Sequence, residues 1–207
     1  MILTSLQRDP LDQLIESRVR VLEVSHFIHM LGPRRGRDLA NRLVGRGTLD
    51  RYRIEWRPLL APLEGPLVEW TPGDPWPDTG SLAWRCQNRC GDPRPGTFFV
   101  LSRRAIRVFG GHALGRVKNP AQAGHDAGVT SVYLGLAASR PEDAACWLGE
   151  DVYAGKRLPG QKQPDAMLFQ GGRFTRAIEF IGCSYTNNRI NALIRDCEAR
   201  GLSVELW

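Results

Sequence analysis

The chain has 207 residues, 42% of them hydrophobic and 24% charged, with a formal net charge of +6. That composition excludes a disordered chain and provides for one ordinary core or two small ones. No apolar run reaches the roughly 18 to 20 residues a bilayer span needs, and no basic-then-apolar leader opens the sequence, so it reads as a soluble, cytoplasmic protein with no membrane partner.

The first helical pattern covers Arg20–Leu31, where Val21, Val24, Ile28 and Leu31 recur near helical spacing. Gly32-Pro33 ends it, and a second helix follows from about Arg34 to Val44, with Leu39, Ala40, Leu43 and Val44 inward. Leu49–Trp56 then alternates Tyr52, Ile54 and Trp56 with Arg51, Arg53 and Arg57, the period of a half-buried strand. Helix, tight turn, basic helix and basic strand is the order of a winged helix-turn-helix. Residues 1–112 hold 17 arginines and no lysine against 12 acids. Arg34, Arg35, Arg37, Arg42, Arg46, Arg51 and Arg53 concentrate that excess, and clustered guanidinium suits a phosphate backbone. These seven are the expected DNA contacts.

Residues 58–97 are proline-rich, which excludes a long helix or a central strand. They read as an elaborated wing or packed insertion with one short helix near Asp78–Arg89. Phe98–Leu101 reads as a returning strand, Ser102 as the cap of a helix through Val108, and the small, polar residues 112–124 as a domain boundary. Beyond it the pattern gives a helix Thr130–Ser139, strands Trp147–Tyr153, Asp165–Phe169 and Arg176–Ile181, a helix carrying Ile190, Leu193, Ile194 and Cys197, and a strand Ser203–Trp207. Asp126, next to His125, reads as an N-terminal helix cap.

Two of these strands carry a carboxylate among apolar residues: Asp165 before Ala166-Met167-Leu168-Phe169, and Glu179 inside Ala177-Ile178-Glu179-Phe180-Ile181. A carboxylate in an apolar strand is costly without a partner, and two brought together need a cation. Hairpin pairing would put both on one face, where oxygen ligands suit Mg²⁺, with Glu150 as a third ligand or a base. Such an ion would activate water to hydrolyse a DNA phosphodiester. The competing reading is structural: Pro164-Asp165 opens a turn and Glu179 is neutralised by Arg176 or Arg189. The five cysteines are odd in number and irregularly spaced, which argues against a disulfide framework. Cys86, Cys90 and His112 lack the fourth ligand of a structural zinc site, and His26 with His29 lack any partner ligand.

A Pro-Asp at the start of one strand, an acid in the next and an α-β-β-β-α-β order resemble the PD-(D/E)xK nuclease superfamily over roughly residues 125–207. With the winged helix in front, His125-Asp126, Trp147-x-x-Glu150, Pro164-Asp165-Ala166 and Glu179 together resemble the plasmid replication-relaxation proteins of bacterial mobile elements. The resemblance implies an α+β protein with a winged helix-turn-helix over 1–112 and a small restriction-endonuclease-like domain over 125–207. It implies DNA as partner, a role in replication or its control, and Asp165, Glu179 and Glu150 around Mg²⁺. Two residues after the strand acid, active nucleases place a lysine that steadies charge on the phosphorane. Here Ile181 stands there, so Lys162 or Arg189 would have to supply the cation. Without it, the expectation becomes a non-catalytic DNA-binding regulator whose second domain serves homodimerisation or partner binding.

Overall fold

The computed structural model describes residues 5–16, 18–110, 117, 120–153 and 162–207. It is an α+β structure in two compact units, one formed by Met1–Trp56 with Pro93–Thr130 and the other by Arg57–Asp92 with Ser131–Trp207. Among the described residues no helix is long and apolar enough to cross a membrane.

In the first unit, α1 (Ser5–Ile15) and β1 (Leu22–Glu23) lead into α2 (Val24–Leu31) and α3 (Pro33–Gly45). Glu23 caps α2 by accepting from the Ser25 N–H at 2.6 Å, while its own N–H donates to Nδ1 of buried His26 at 3.0 Å. The histidine thus fills the glutamine or glutamate place of a capping box. Gly32, at φ 80°, makes the single-residue turn, and Pro33 begins α3 where its missing N–H costs nothing. Gly36 lets the helices touch, because a Cβ there would run into the Phe27 backbone.

β2 (Leu49–Trp56) and β4 (Arg94–Leu101) pair antiparallel along their whole length, with β1 on the far side of β4. Phe99 of β4 packs edge-on against Phe27 of α2, at 5.3 Å between centroids. Phe98 and Val100 point the other way, into a cluster with Val21, Tyr52, Ile54, Trp56, Ala123 and Ala127. Helix α5 (Arg103–Phe109) starts at Ser102, whose Oγ accepts from the Ala105 N–H and donates to the Gly47 carbonyl.

The second unit holds a five-stranded sheet in the order β3-β8-β7-β6-β5: β3 (Val68–Trp70), β5 (Trp147–Gly149), β6 (Ala166–Gln170), β7 (Arg173–Glu179) and β8 (Ser203–Leu206). Only β7 and β8 run parallel, joined by the crossover helix α9 (Asn187–Ala199). On one face Met167, Ala177, Ile181, Val204 and Leu206 pack with Ile190, Leu193 and Ile194 of α9 and with Leu82 and Cys86 of α4 (Thr79–Asn88). The strands' alternate residues point to the other face, Glu205 among them. Buried there, Glu205 accepts from both guanidinium nitrogens of Arg140 at 2.7 Å, from Arg176 and from Trp207 Nε1 at 2.9 Å. Burial alone would raise its pKa, but the bonds and charge of the two arginines outweigh it and hold the carboxyl below its ordinary range.

Several expectations change. The division is interleaved rather than a break at 112–124: residues 57–92, read as an elaborated wing or packed insertion of the first domain, pack in the second unit, where β3 pairs with β8. β4 takes in Pro95, where β2 is the only flanking strand, so no ladder is broken. The helix expected at Thr130 is α6 (Pro120–Ser139), so Asp126 lies inside it and does not cap it. The strand expected at Trp147–Tyr153 stops at Gly149 and turns into α8 (Glu150–Tyr153), and α7 (Pro141–Ala145) stands before it. His112 lies outside the described residues.

Burial first, and the charge on His29 second, lower the His26 pKa from 6.5 to about 4. As pH falls below 6.5 the unfolded chain takes up this proton before the folded one does. Stability is therefore expected to drop by up to about 3 kcal/mol between pH 6.5 and 4. Urea unfolding of His26→Gln, which keeps the acceptor and removes the titration, should lack this part of the slope. Arg140→Ala should cost about 3 to 5 kcal/mol at neutral pH by leaving Glu205 undercompensated. The loss should shrink in acid, once Glu205 is protonated, as read by thermal melts across pH.

Candidate functional site

All seven arginines of the expected DNA contact are exposed. In α3 the buried positions Gly36, Leu39, Ala40 and Leu43 turn inward, leaving Arg34, Arg35, Arg37, Asn41 and Arg42 outward, and Arg46 follows at the C-cap. On β2, Arg51 is directly opposite Phe99, and directly opposite residues of an antiparallel pair share a face. Since Phe99 packs on α2, Arg51 and Arg53 project from the side of the sheet on which the helices lie. The Arg51 guanidinium donates to Asn41 Oδ1 of α3 at 3.4 Å, so the strand row and the helix face form one basic surface. Among the described residues none of the seven is ion-paired with a carboxylate.

Arg103, Arg104 and Arg107, on exposed positions of α5, extend this chemistry. The bonds from Ser102 to Gly47 and Thr48 fix the start of α5 beside the turn that ends α3. Sequence reading treated α5 only as a capped helix. The signal was there in Ser102-Arg103-Arg104, three cations within five residues behind a cap.

In the second unit Ala166 pairs with Ile178, which sets Asp165 against Glu179 at the mouth of the β6–β7 hairpin. Both are buried. Asp165 Oδ2 accepts from the Phe180 N–H at 2.8 Å, and Glu179 Oε2 accepts from the Asp165 N–H at 3.2 Å. Glu179 Oε1 accepts from the Tyr185 hydroxyl at 2.6 Å. Arg189 completes the chain: it donates to the Tyr185 oxygen at 3.0 Å and stacks on the ring, 3.8 Å from the centroid. Arg189 therefore reaches Glu179 through Tyr185, and Arg176 is committed to Glu205.

Glu150 joins the group by backbone, its N–H donating to the Asp165 carbonyl at 2.9 Å. The Tyr153 hydroxyl donates to the Pro164 carbonyl. Burial raises the Tyr153 pKa first, and the charges of Asp165, Glu150 and Glu179 raise it further. Tyr185 is likewise raised, by burial and then by Glu179 and Asp165. Both tyrosines are thus fixed as neutral donors.

The two cations considered for the missing lysine are placed differently. Lys162 is held by its backbone to the far half of α9, donating to Asp196 Oδ1 at 3.2 Å and accepting from Arg200 at 3.3 Å. No described contact joins it to Asp165 or Glu179. Ile181 is fully buried in the core under α9.

Among the described residues no three His, Cys, Asp or Glu side chains converge as a metal-holding group. Asp165 Oδ2 and both Glu179 oxygens already accept a backbone N–H or a tyrosine hydroxyl. What the arrangement can do is lock: each carboxylate clamps the neighbouring strand, and Tyr185 pins the turn that leads into α9.

Tyr185→Phe removes the donor to a buried carboxylate and should cost about 2 kcal/mol in urea unfolding, whereas Lys162→Ala, remote from the pair, should cost little. Compared with protein-family models, with curated proteins and with solved structures, the chain gives no match.

Proposed function

We propose that the chain is a DNA-binding protein whose first unit is a winged helix-turn-helix. In this reading α3 enters the major groove, its outward arginines reach base edges and phosphates, and β2 with β4 forms the wing along the backbone. The hydrogen bond from Arg51 to Asn41 carries the reading, because it joins the wing row to the helix face as one surface with no carboxylate partner among the described residues. Solvated arginines without a partner are ordinary on any helix. Seven on one continuous face, with α5 adding three, are the footprint of a polyanion.

The second unit, in this reading, has a nuclease-like order of strands but no catalytic role. Asp165 and Glu179 hold the hairpin and α9 together, and the place of the catalytic lysine is taken by a core isoleucine. The unit is left to serve assembly or partner binding. Replication of a plasmid or mobile element, or its control, is the setting that the sequence resemblance implies.

The test is DNA affinity as a function of salt. With six or more phosphate contacts, affinity should fall roughly a thousandfold or more between 50 and 200 mM salt. Arg35→Ala and Arg42→Ala should each weaken binding and, where they meet phosphate, lower the salt slope by about 1. A flat salt response would remove the nucleic-acid reading. Titration calorimetry with Mg²⁺ and Mn²⁺ separates the second unit's roles: binding that Asp165→Ala or Glu179→Ala abolishes would restore a metal-dependent nuclease.

A further inference from the structure

The edge strands of the two sheets differ in length. In the second unit the outer strands β3 and β5 have three residues each, and in the first unit β1 has two. β2, at the other edge of the three-stranded sheet, has eight. Its register to β4 runs unbroken from Leu49–Leu101 to Trp56–Arg94, and β4 lies on one side of it only. An antiparallel strand turns alternate backbone groups toward one neighbour and the rest toward the other. Half of the N–H and C=O groups of β2 therefore face outward, and among the described residues no strand or isolated bridge pairs with them. A long open edge of this kind is a template for another strand.

The residues of β2 select which strand fits. Tyr52, Ile54 and Trp56 alternate on the face that packs with Phe98 and Val100, and all three stay only half-buried there. Trp56 is fixed by edge-on packing on Phe98 at 5.4 Å, and a Cβ at Gly96 would strike its indole. The opposite face carries Arg51, Arg53 and Glu55, all exposed. Directly opposite residues of an antiparallel pair share a face, so a second copy of β2 matches faces only when some residue lies against itself on the two-fold axis. Centred on Ile54, that residue meets itself, Tyr52 meets Trp56, and Arg53 meets Glu55 twice; Arg51 falls opposite residue 57, past the end of β2. Centred on Arg53, the register sets two arginines together, and centred on Tyr52 it sets Arg51 against Arg53 twice. Centred on Glu55, it sets two carboxylates together. Of these centres, only Ile54 is complementary in both charge and apolar contact.

We propose that the chain self-associates through β2, a second copy pairing antiparallel about Ile54 to join two three-stranded sheets into one. Each Arg53–Glu55 contact forms twice by symmetry, and the half-buried Tyr52, Ile54 and Trp56 close over one another. The seam is smaller than the roughly 1,200 Å² of a standard interface, so the association is reversible and of micromolar strength. The axis stands perpendicular to the joined sheet, which leaves both copies of α3 on its same side.

Sedimentation equilibrium of the full chain, without DNA, is read over a concentration series into the high micromolar range, and a monomer–dimer equilibrium is expected. Glu55→Arg makes both Arg53 contacts repulsive and should weaken the dimer roughly thirtyfold. Adding Arg53→Glu to that variant recreates the pairs with their charges exchanged and should bring it back to within about threefold of the wild type. Ile54→Cys lies opposite its own copy, so mild oxidation should give a reducible intermolecular cross-link above the wild-type background. Arg53→Cys, displaced from its copy, should not. A chain that stays monomeric throughout overturns the proposal, as does a dimer indifferent to Glu55→Arg, a double variant as weak as the single one, or a cross-link at residue 53 in place of 54. With DNA absent, these outcomes leave the DNA reading untouched, and a flat salt response in DNA binding would leave the self-association untouched.

Discussion

A carboxylate taken out of water must be given donors, and the second unit is organised around that constraint. Glu205, in the middle of β8, receives Arg140, Arg176 and the Trp207 indole. Glu179 and Asp165 receive a tyrosine hydroxyl and two backbone N–H groups. Arg140, Arg176, Asp165 N–H and Phe180 N–H come from stretches of chain distant from the acids they serve, so each acid fixes the relative position of elements that apolar packing alone would let slide. Arg140 lies at the end of α6 and Arg176 on β7, and their meeting at Glu205 defines one side of the sheet. Tyr185 defines the other.

The arginines around the buried acids of the second unit and those of α3 and β2 differ in their partners. In the second, Arg140, Arg176 and Arg200 are consumed by Glu205, Asp143 and Asp196, and Arg89 and Arg189 by carbonyls, rings and a hydroxyl. In the first, the arginines of α3 and β2 meet no carboxylate among the described residues. Clustered like charge without carboxylate partners carries a cost in self-repulsion. This contrast separates arginines with internal acceptors from arginines open to solvent more sharply than the net charge of +6 does.

Periodicity made α2, α3, β2 and α9 legible in the sequence, because each buries one face and leaves the other more open. The juxtaposition of Asp165 and Glu179 followed from alternation and hairpin pairing. What supplies their donors did not: backbone N–H groups carry no sequence signal, and Tyr185 gave only the hint of an aromatic ahead of the Thr186 cap. Glu205 shows the same signal as Glu179, an acid between Val204 and Leu206, and went unread because it lies in a short final strand. β3 was hidden by the prolines around it, since three residues are too few to show a period, and only long-range pairing with β8 makes them a strand.

The interleaving of the units has a consequence for how this molecule can be cut and made. The chain crosses between them at residues 56–57, 92–93 and 130–131, so neither is a single continuous segment. β2 cannot pair with β4 until the intervening 37 residues have been made, and β3 must wait for β8, more than a hundred residues later, which makes both sheets dependent on distant contacts. A truncation at any one of these crossings leaves an orphaned strand edge, and such edges invite aggregation. Excising the basic half would require ending the chain at Thr130, removing 57–92 and bridging Trp56 to Pro93 with a short designed hairpin turn across the Trp56–Arg94 pair.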